Sequence, residues 1–215
     1  LWEWMVSSFS ESKSDSKNLK QPEKENSRIA DKSERLKIKI PRPVGNAIGG
    51  GLHSKGKGGK KPDFQEFLFI ANGKSFKESV EINNKAYKLA KKILGYWIKK
   101  KNDEGAWETH LANEQVLYLM KSVQEIMRKK YNKKVDIGLD IAASSFYKNP
   151  FYIYKNPLQK LNKNEQISYV SNLIKKYDLL YVEDAFDEND FSSFRELLRK
   201  VRGNCLIVGD DLTTT

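Results

Sequence analysis

The sequence predicts an α/β protein, a partial barrel of strand–helix units truncated after its fifth strand. Three observations carry that reading. Three apolar runs, Val135–Asp140, Leu179–Asp184 and Cys205–Asp211, each end in carboxylates. Segments with helical spacing separate each run from the next, as in a parallel sheet built from βα units. The full order is strand, strand, helix, helix, strand, helix, strand, helix, strand, whereas a closed barrel needs about eight strands.

Leu1–Met5 is short and apolar, like the last turn of a helix. Residues 6–37 are rich in Ser, Lys, Glu and Asn, with almost no aliphatics beyond Leu19 and Ile29. Such a segment cannot bury enough to order itself and is expected to be a disordered linker. The barrel domain is expected over residues 38–215. It opens with Val44–Ile48, then Gly49-Gly50-Gly51 and a basic, Gly-rich loop to Lys61. The aromatic-rich strand Phe64–Ile70 follows.

Ser75 stands three residues before Glu78, the spacing of a capping box, so a helix begins there. Phe76, Val80, Ala86, Tyr87, Ala90 and Ile93 continue it, and Gly95 loosens its end. Asn102–Thr109 reads as a loop. The next helix, Asn113–Tyr131, places Val116, Leu119, Met120, Val123 and Met127 on one face. Beyond strand Val135–Ile141 and an aromatic excursion, Phe146–Tyr154, the chain alternates. Helix Asn164–Tyr177, strand Leu179–Val182, helix Phe191–Val201 and strand Cys205–Val208 complete it.

The 215 residues carry a formal net charge of +11, mostly lysines spread over helix faces. That balance attracts anions such as phosphorylated metabolites. The single cysteine, Cys205, lies in an apolar run, which excludes a disulfide framework and fits a reducing interior. No apolar run reaches membrane-spanning length, and no signal peptide is visible.

In a parallel sheet the C-terminal strand ends share one face, so Asp140, Glu183 and Asp210 would converge there. Three carboxylates suit a hard divalent cation. Asp184 and Asp211 are adjacent carboxylates that would orient ligands or pair with a lysine. Asp136 points to the other face of its strand and reads as structural. Glu66 sits among Phe64, Phe67 and Phe69, where an unpaired charge is costly, so it is paired or functional. Gln65 beside it can donate to an anion. Asp103-Glu104-Gly105 alone is an ordinary acidic turn, and His110 reads as a surface residue. Lys55, Lys57, Lys60 and Lys61 suggest an anion- or RNA-binding module. The loop lacks interleaved aromatics, which disfavours nucleic acid.

Six strings in order resemble the enolase family. They are Pro43-Val44-Gly45-Asn46 with Gly50-Gly51-Leu52-His53, Asp63-Phe64-Gln65-Glu66-Phe67, and Asp103-Glu104-Gly105. Leu139-Asp140-Ile141-Ala142-Ala143-Ser144 with Phe146-Tyr147, Val182-Glu183-Asp184, and Val208-Gly209-Asp210-Asp211-Leu212 complete the set. Leu1–Met5 resembles the end of the family's small N-terminal domain. The resemblance implies a TIM-type barrel of the enolase kind, ββαα(βα)n. It also implies Mg²⁺-dependent interconversion of 2-phosphoglycerate and phosphoenolpyruvate by a cytoplasmic, homodimeric lyase.

In that scheme Asp140, Glu183 and Asp210 bind Mg²⁺, and Glu104 is the acid that helps the hydroxyl leave. Glu66 lies close to that hydroxyl, and Gln65 and His53 contact substrate. Removing a proton beside a carboxylate creates a dianion that divalent cations stabilise. Ala106-Trp107-Glu108-Thr109 departs from the family, which has a second Gly and an apolar-Ala-Pro turn there. Ala185 replaces a usual Pro, and Ser145 a common Glu. The family's base lysine and its remaining substrate-gripping residues would fall beyond Thr215. The stretch by itself is therefore expected to be inactive. A diverged, non-catalytic homologue is the alternative.

Overall fold

The computed structural model describes residues 40–54 and 60–214. The expected domain end at Leu1–Met5 and the linker over 6–37 lie outside them, as do Lys55 and Lys57.

Strands β1 (Val44–Gly49) and β2 (Glu66–Ala71) open the domain as an antiparallel pair. Helix α1 (Phe76–Leu94) starts where the capping spacing predicts: Ser75 Oγ accepts the Glu78 N–H at 3.1 Å. Glu78 Oε2 in turn accepts the Lys74 N–H at 2.6 Å. The helix stops at Gly95, whose φ of +46° suits a residue without Cβ. Its buried face is Ile82, Ala86, Ala90 and Leu94, and Phe76, expected inward, is 51% exposed.

Helix α2 (Asn113–Tyr131) buries the predicted stripe from Val116 to Met127 and ends at Asn132 in the left-handed region. Strand β5 (Val135–Asp140), α3 (Lys163–Tyr177), β9 (Leu179–Glu183), α4 (Phe191–Val201) and β10 (Leu206–Val208) give the expected alternation. Asn162 and Glu165 form a capping box at the start of α3.

Two regions differ from expectation. The segment read as a loop after α1 contains a short hairpin, β3 (Ile98–Lys101) and β4 (Trp107–Thr109). The aromatic excursion is a meander of β6 (Tyr147–Lys148), β7 (Phe151–Lys155) and β8 (Leu158–Leu161). The main sheet thus has seven strands in the order β10-β9-β5-β2-β1-β4-β3, not five.

That sheet is mixed. The β5–β9, β9–β10 and β1–β4 pairs are parallel, while β2 runs antiparallel to β1 and β5. Among the described residues it stays open, with β10 and β3 at its edges. The reversal of β2 matters for chemistry. The first residue of β2, Glu66, is brought level with the last residues of β1 and β5, Gly49 and Asp140.

Candidate active site

One rim of the sheet gathers the acids. Register pairs Glu66 with Asp140, and Asp140 with Glu183 on the next strand. Asp210 follows two residues beyond Val208, which pairs with Glu183, and is exposed on the turn after β10. Asp140 accepts from Gln65 Nε2 and from the Ala142 N–H, both at 3.1 Å. Glu183 accepts the Tyr181 hydroxyl at 2.8 Å. Asp184 turns back instead. Its carboxylate accepts the N–H groups of Asp210 at 3.1 Å and Asp211 at 2.9 Å, tying the β10 turn to the end of β9.

The tip of the β3–β4 hairpin supplies Glu104. Asn102 Oδ1 accepts the N–H groups of Glu104 at 3.1 Å and Ala106 at 2.8 Å. Gly105, at φ +81°, closes the turn, and the Tyr87 hydroxyl donates to its carbonyl at 2.6 Å. Below the tip, Trp107 is buried, stacks on Tyr87 at 4.9 Å and donates to the Tyr87 carbonyl. Trp107–Thr109, within the stretch that departs from the family pattern, is thus a strand paired with β1, directly after the Glu104 turn.

At the rim Glu104 is held by three neighbours. Asn46 Nδ2 donates to Oε2 at 2.8 Å, and His53 Nδ1 lies 3.1 Å from Oε1. Glu66 shares a hydrogen bond with the same carboxyl. Two carboxyl groups can hydrogen-bond only if one carries a proton. Burial, that shared bond and the charges of Glu104, Asp140 and Glu183 push Glu66 up to about 8. Burial, with Glu183 and Asp184, pushes Asp140 up to about 7. Glu183 is raised by burial despite the Tyr181 hydroxyl. Burial and mutual repulsion thus favour the protonated forms of the rim carboxyls.

The donor set fits a hard divalent cation. Asp140 and Glu183 are adjacent oxygen donors with no lysine or arginine ion-pair partner among the described residues. Burial, and after it the neighbouring carboxylates, raise their proton affinity, and a cation would relieve that repulsion. As placed, they form an open rim: among the described residues, no three such side chains gather tightly enough to enclose an ion.

The family model for the enolase C-terminal TIM barrel domain matches residues 37–215. The chain belongs to the enolase family. The enolase of Picrophilus torridus is 37% identical over 184 residues, 84% of this chain and 44% of that protein. The enolase of Pyrobaculum aerophilum is 38% identical over 182 residues, covering 82% and 42%. That of Archaeoglobus fulgidus is 37% identical over 180 residues, covering 82% and 43%. The chain thus spans less than half the length of these enolases.

Against that family pattern, Glu66, Glu104, His53, Gln65, Asp140 and Glu183 all stand at one rim, with Asp210 further out. Lys61 is engaged below it, donating to the carbonyls of Gly51 and, at 2.6 Å, Ser54. It supports the His53 turn, which removes it from the expected basic binding module. Asp136, as expected, pairs elsewhere, with Arg42 at 3.1 Å and Lys134 at 3.5 Å. His110, expected at the surface, is half-buried. Cys205 is buried, and burial pushes its thiol up to about 12.

Sequence reasoning missed Asn102, Tyr87 and Tyr181 as supports of the site. Tyr181 had a signal, since it lies two residues before Glu183 and therefore on the same strand face. Asn102 and Tyr87 had none, because their partner is a turn unrelated to either in sequence pattern.

Proposed function

We propose that the protein is a phosphopyruvate hydratase, a lyase that reversibly dehydrates 2-phospho-D-glycerate to phosphoenolpyruvate in glycolysis and gluconeogenesis. The observation that carries this reading is the Glu66, Asp140 and Glu183 carboxyls in register at one sheet rim, with Glu104 beside Glu66, in a chain of the enolase family. Asp140, Glu183 and Asp210 would hold Mg²⁺, which when bound supplies positive charge to the substrate carboxylate. The proton held between Glu66 and Glu104 passes through Glu104 to the oxygen of the leaving hydroxyl as the carbon–oxygen bond breaks, so that water departs. Glu66 faces that hydroxyl and resupplies Glu104 with the proton it gives up. Gln65 and His53 orient the substrate from either side of the rim.

The base that takes the carbon-bound proton is assigned to further strands of the barrel. Among the described residues the sheet is open at β10, the edge that such strands would join. The 215-residue stretch is therefore expected to be inactive alone. A cytoplasmic homodimer completes the reading on family resemblance. No helix among the described residues is long and apolar enough to cross a membrane.

The test is phosphoenolpyruvate formation at saturating Mg²⁺ by the full-length protein and by the 215-residue stretch. Turnover by the first alone is expected. Turnover by the stretch would overturn its inactivity. No turnover by either would replace the enzyme with a diverged, non-catalytic homologue.

A further inference from the structure

We propose that Asn46 is a positioning residue for Glu104, clamping one carboxylate oxygen so that the acid faces Glu66 and the reacting hydroxyl. The inference rests on the dehydration reading above. Its ground is geometric. Asn46 Nδ2 donates to Glu104 Oε2 at 2.8 Å, while His53 Nδ1 stands 3.1 Å from the other oxygen. The two contacts use separate oxygens and leave the carboxyl little freedom to rotate.

Two features of β1 show that this contact is built. The register of β1 on β2 slips between Asn46 and Ile48: Asn46 pairs with Leu68, but Ile48 pairs with Phe67. Ala47 is the extra residue of a bulge, a device that redirects a neighbouring side chain. The second feature is the Asn46 amide itself. Its nitrogen faces a carboxylate, which fixes the flip, and its Oδ1 is then buried without a donor. An amide kept with an unsatisfied oxygen has its use at the nitrogen end.

The same amide borders a cavity of about 250 Å³ behind the hairpin tip, lined also by Asn83, Tyr87, Lys101 and Gly105. Asn83 shows the same arrangement: its Nδ2 donates to the Pro43 carbonyl at 2.9 Å, and its Oδ1 has no donor. The space behind Glu104 thus offers no other donor from these two amides. Asn46 Nδ2 is the group that reaches forward to the acid.

The test compares Asn46→Ala and Asn46→Asp in the full-length protein. Asp keeps the shape and loses the donor. Both variants are expected to lose at least about tenfold, towards ~100-fold, in kcat, with KM changed less than about threefold. Asn46→Asp retaining wild-type kcat, or a loss confined to KM, would overturn the proposal. An activity-free arm keeps the two readings apart. In ¹⁵N-labelled protein the Asn46 side-chain amide signals are expected to shift on Glu104→Ala, without a general change in backbone signals. Unmoved amide signals would overturn the clamp whatever the turnover. Moved signals in a protein without turnover would uphold the clamp and sink the dehydration reading alone.

Discussion

Burial, the hydrogen bond shared with Glu104 and the nearby charges of Glu104, Asp140 and Glu183 make Glu66 hold its proton to about pH 8. In the unfolded chain the same group titrates near 4.5. The folded state therefore binds more protons between these values, and stability falls with pH across them. The contribution of Glu66 is complete below about pH 4.5 and is lost as pH rises through about 8. Thermal melting of the metal-free chain is expected to drop from about pH 5 to about pH 8.5. Glu66→Gln, which stays neutral, flattens that slope. A melting temperature that rises over the same range, or a slope unchanged in the variant, would contradict the buried-proton account.

At the scale of elements, the β3–β4 hairpin decides where Glu104 stands, and its anchor is Trp107 on Tyr87. Trp107→Ala removes a buried ring, its stacking and its hydrogen bond, and is expected to cost about 3–5 kcal/mol in urea unfolding. Trp107→Phe keeps an aromatic face and loses the N–H bond, so about 1 kcal/mol of added cost is expected. Equal losses in the two variants would show that stacking is not the anchor. Gly49 serves the same turn, since a Cβ there would sit 2.5 Å from Asn102 Nδ2. This hairpin was the least legible part of the fold. Its strands are three and four residues long, and Ile98–Lys101 carries three lysines in a row with no alternation. Pairing makes them strands: β4 with β1, a long-range contact, and β3 with β4. The capped helices and the apolar runs ending in acids were legible because their signals are local. The acidic rim was legible as shared strand ends, and its closeness was not. Whether three carboxylates touch or merely face one another depends on turns such as the one Asp184 ties down.

For the whole molecule, the open sheet leaves apolar side chains exposed at and beside its β10 edge. Leu206 on β10 is 57% exposed, and Phe191 and Leu198 on the adjoining α4 are also exposed. A free strand edge presents unpaired backbone groups to another chain, and neighbouring apolar side chains reinforce such pairing. Opposing it is the net charge of +11, which keeps copies apart. The balance is set by salt. Screening weakens the repulsion over a Debye length of about 10 Å at 0.1 M and about 3 Å at 1 M, and leaves apolar contact untouched. The 215-residue chain is therefore expected to self-associate more as salt is raised, the reverse of an association driven by its lysines. Leu206→Lys places a charge on the edge itself and should return the chain to monomer at every salt concentration. Sedimentation velocity across a salt series reads both effects. Association that weakens with salt would assign the contact to lysines meeting the acidic rim of a second copy, and β10 would then be a blunted edge.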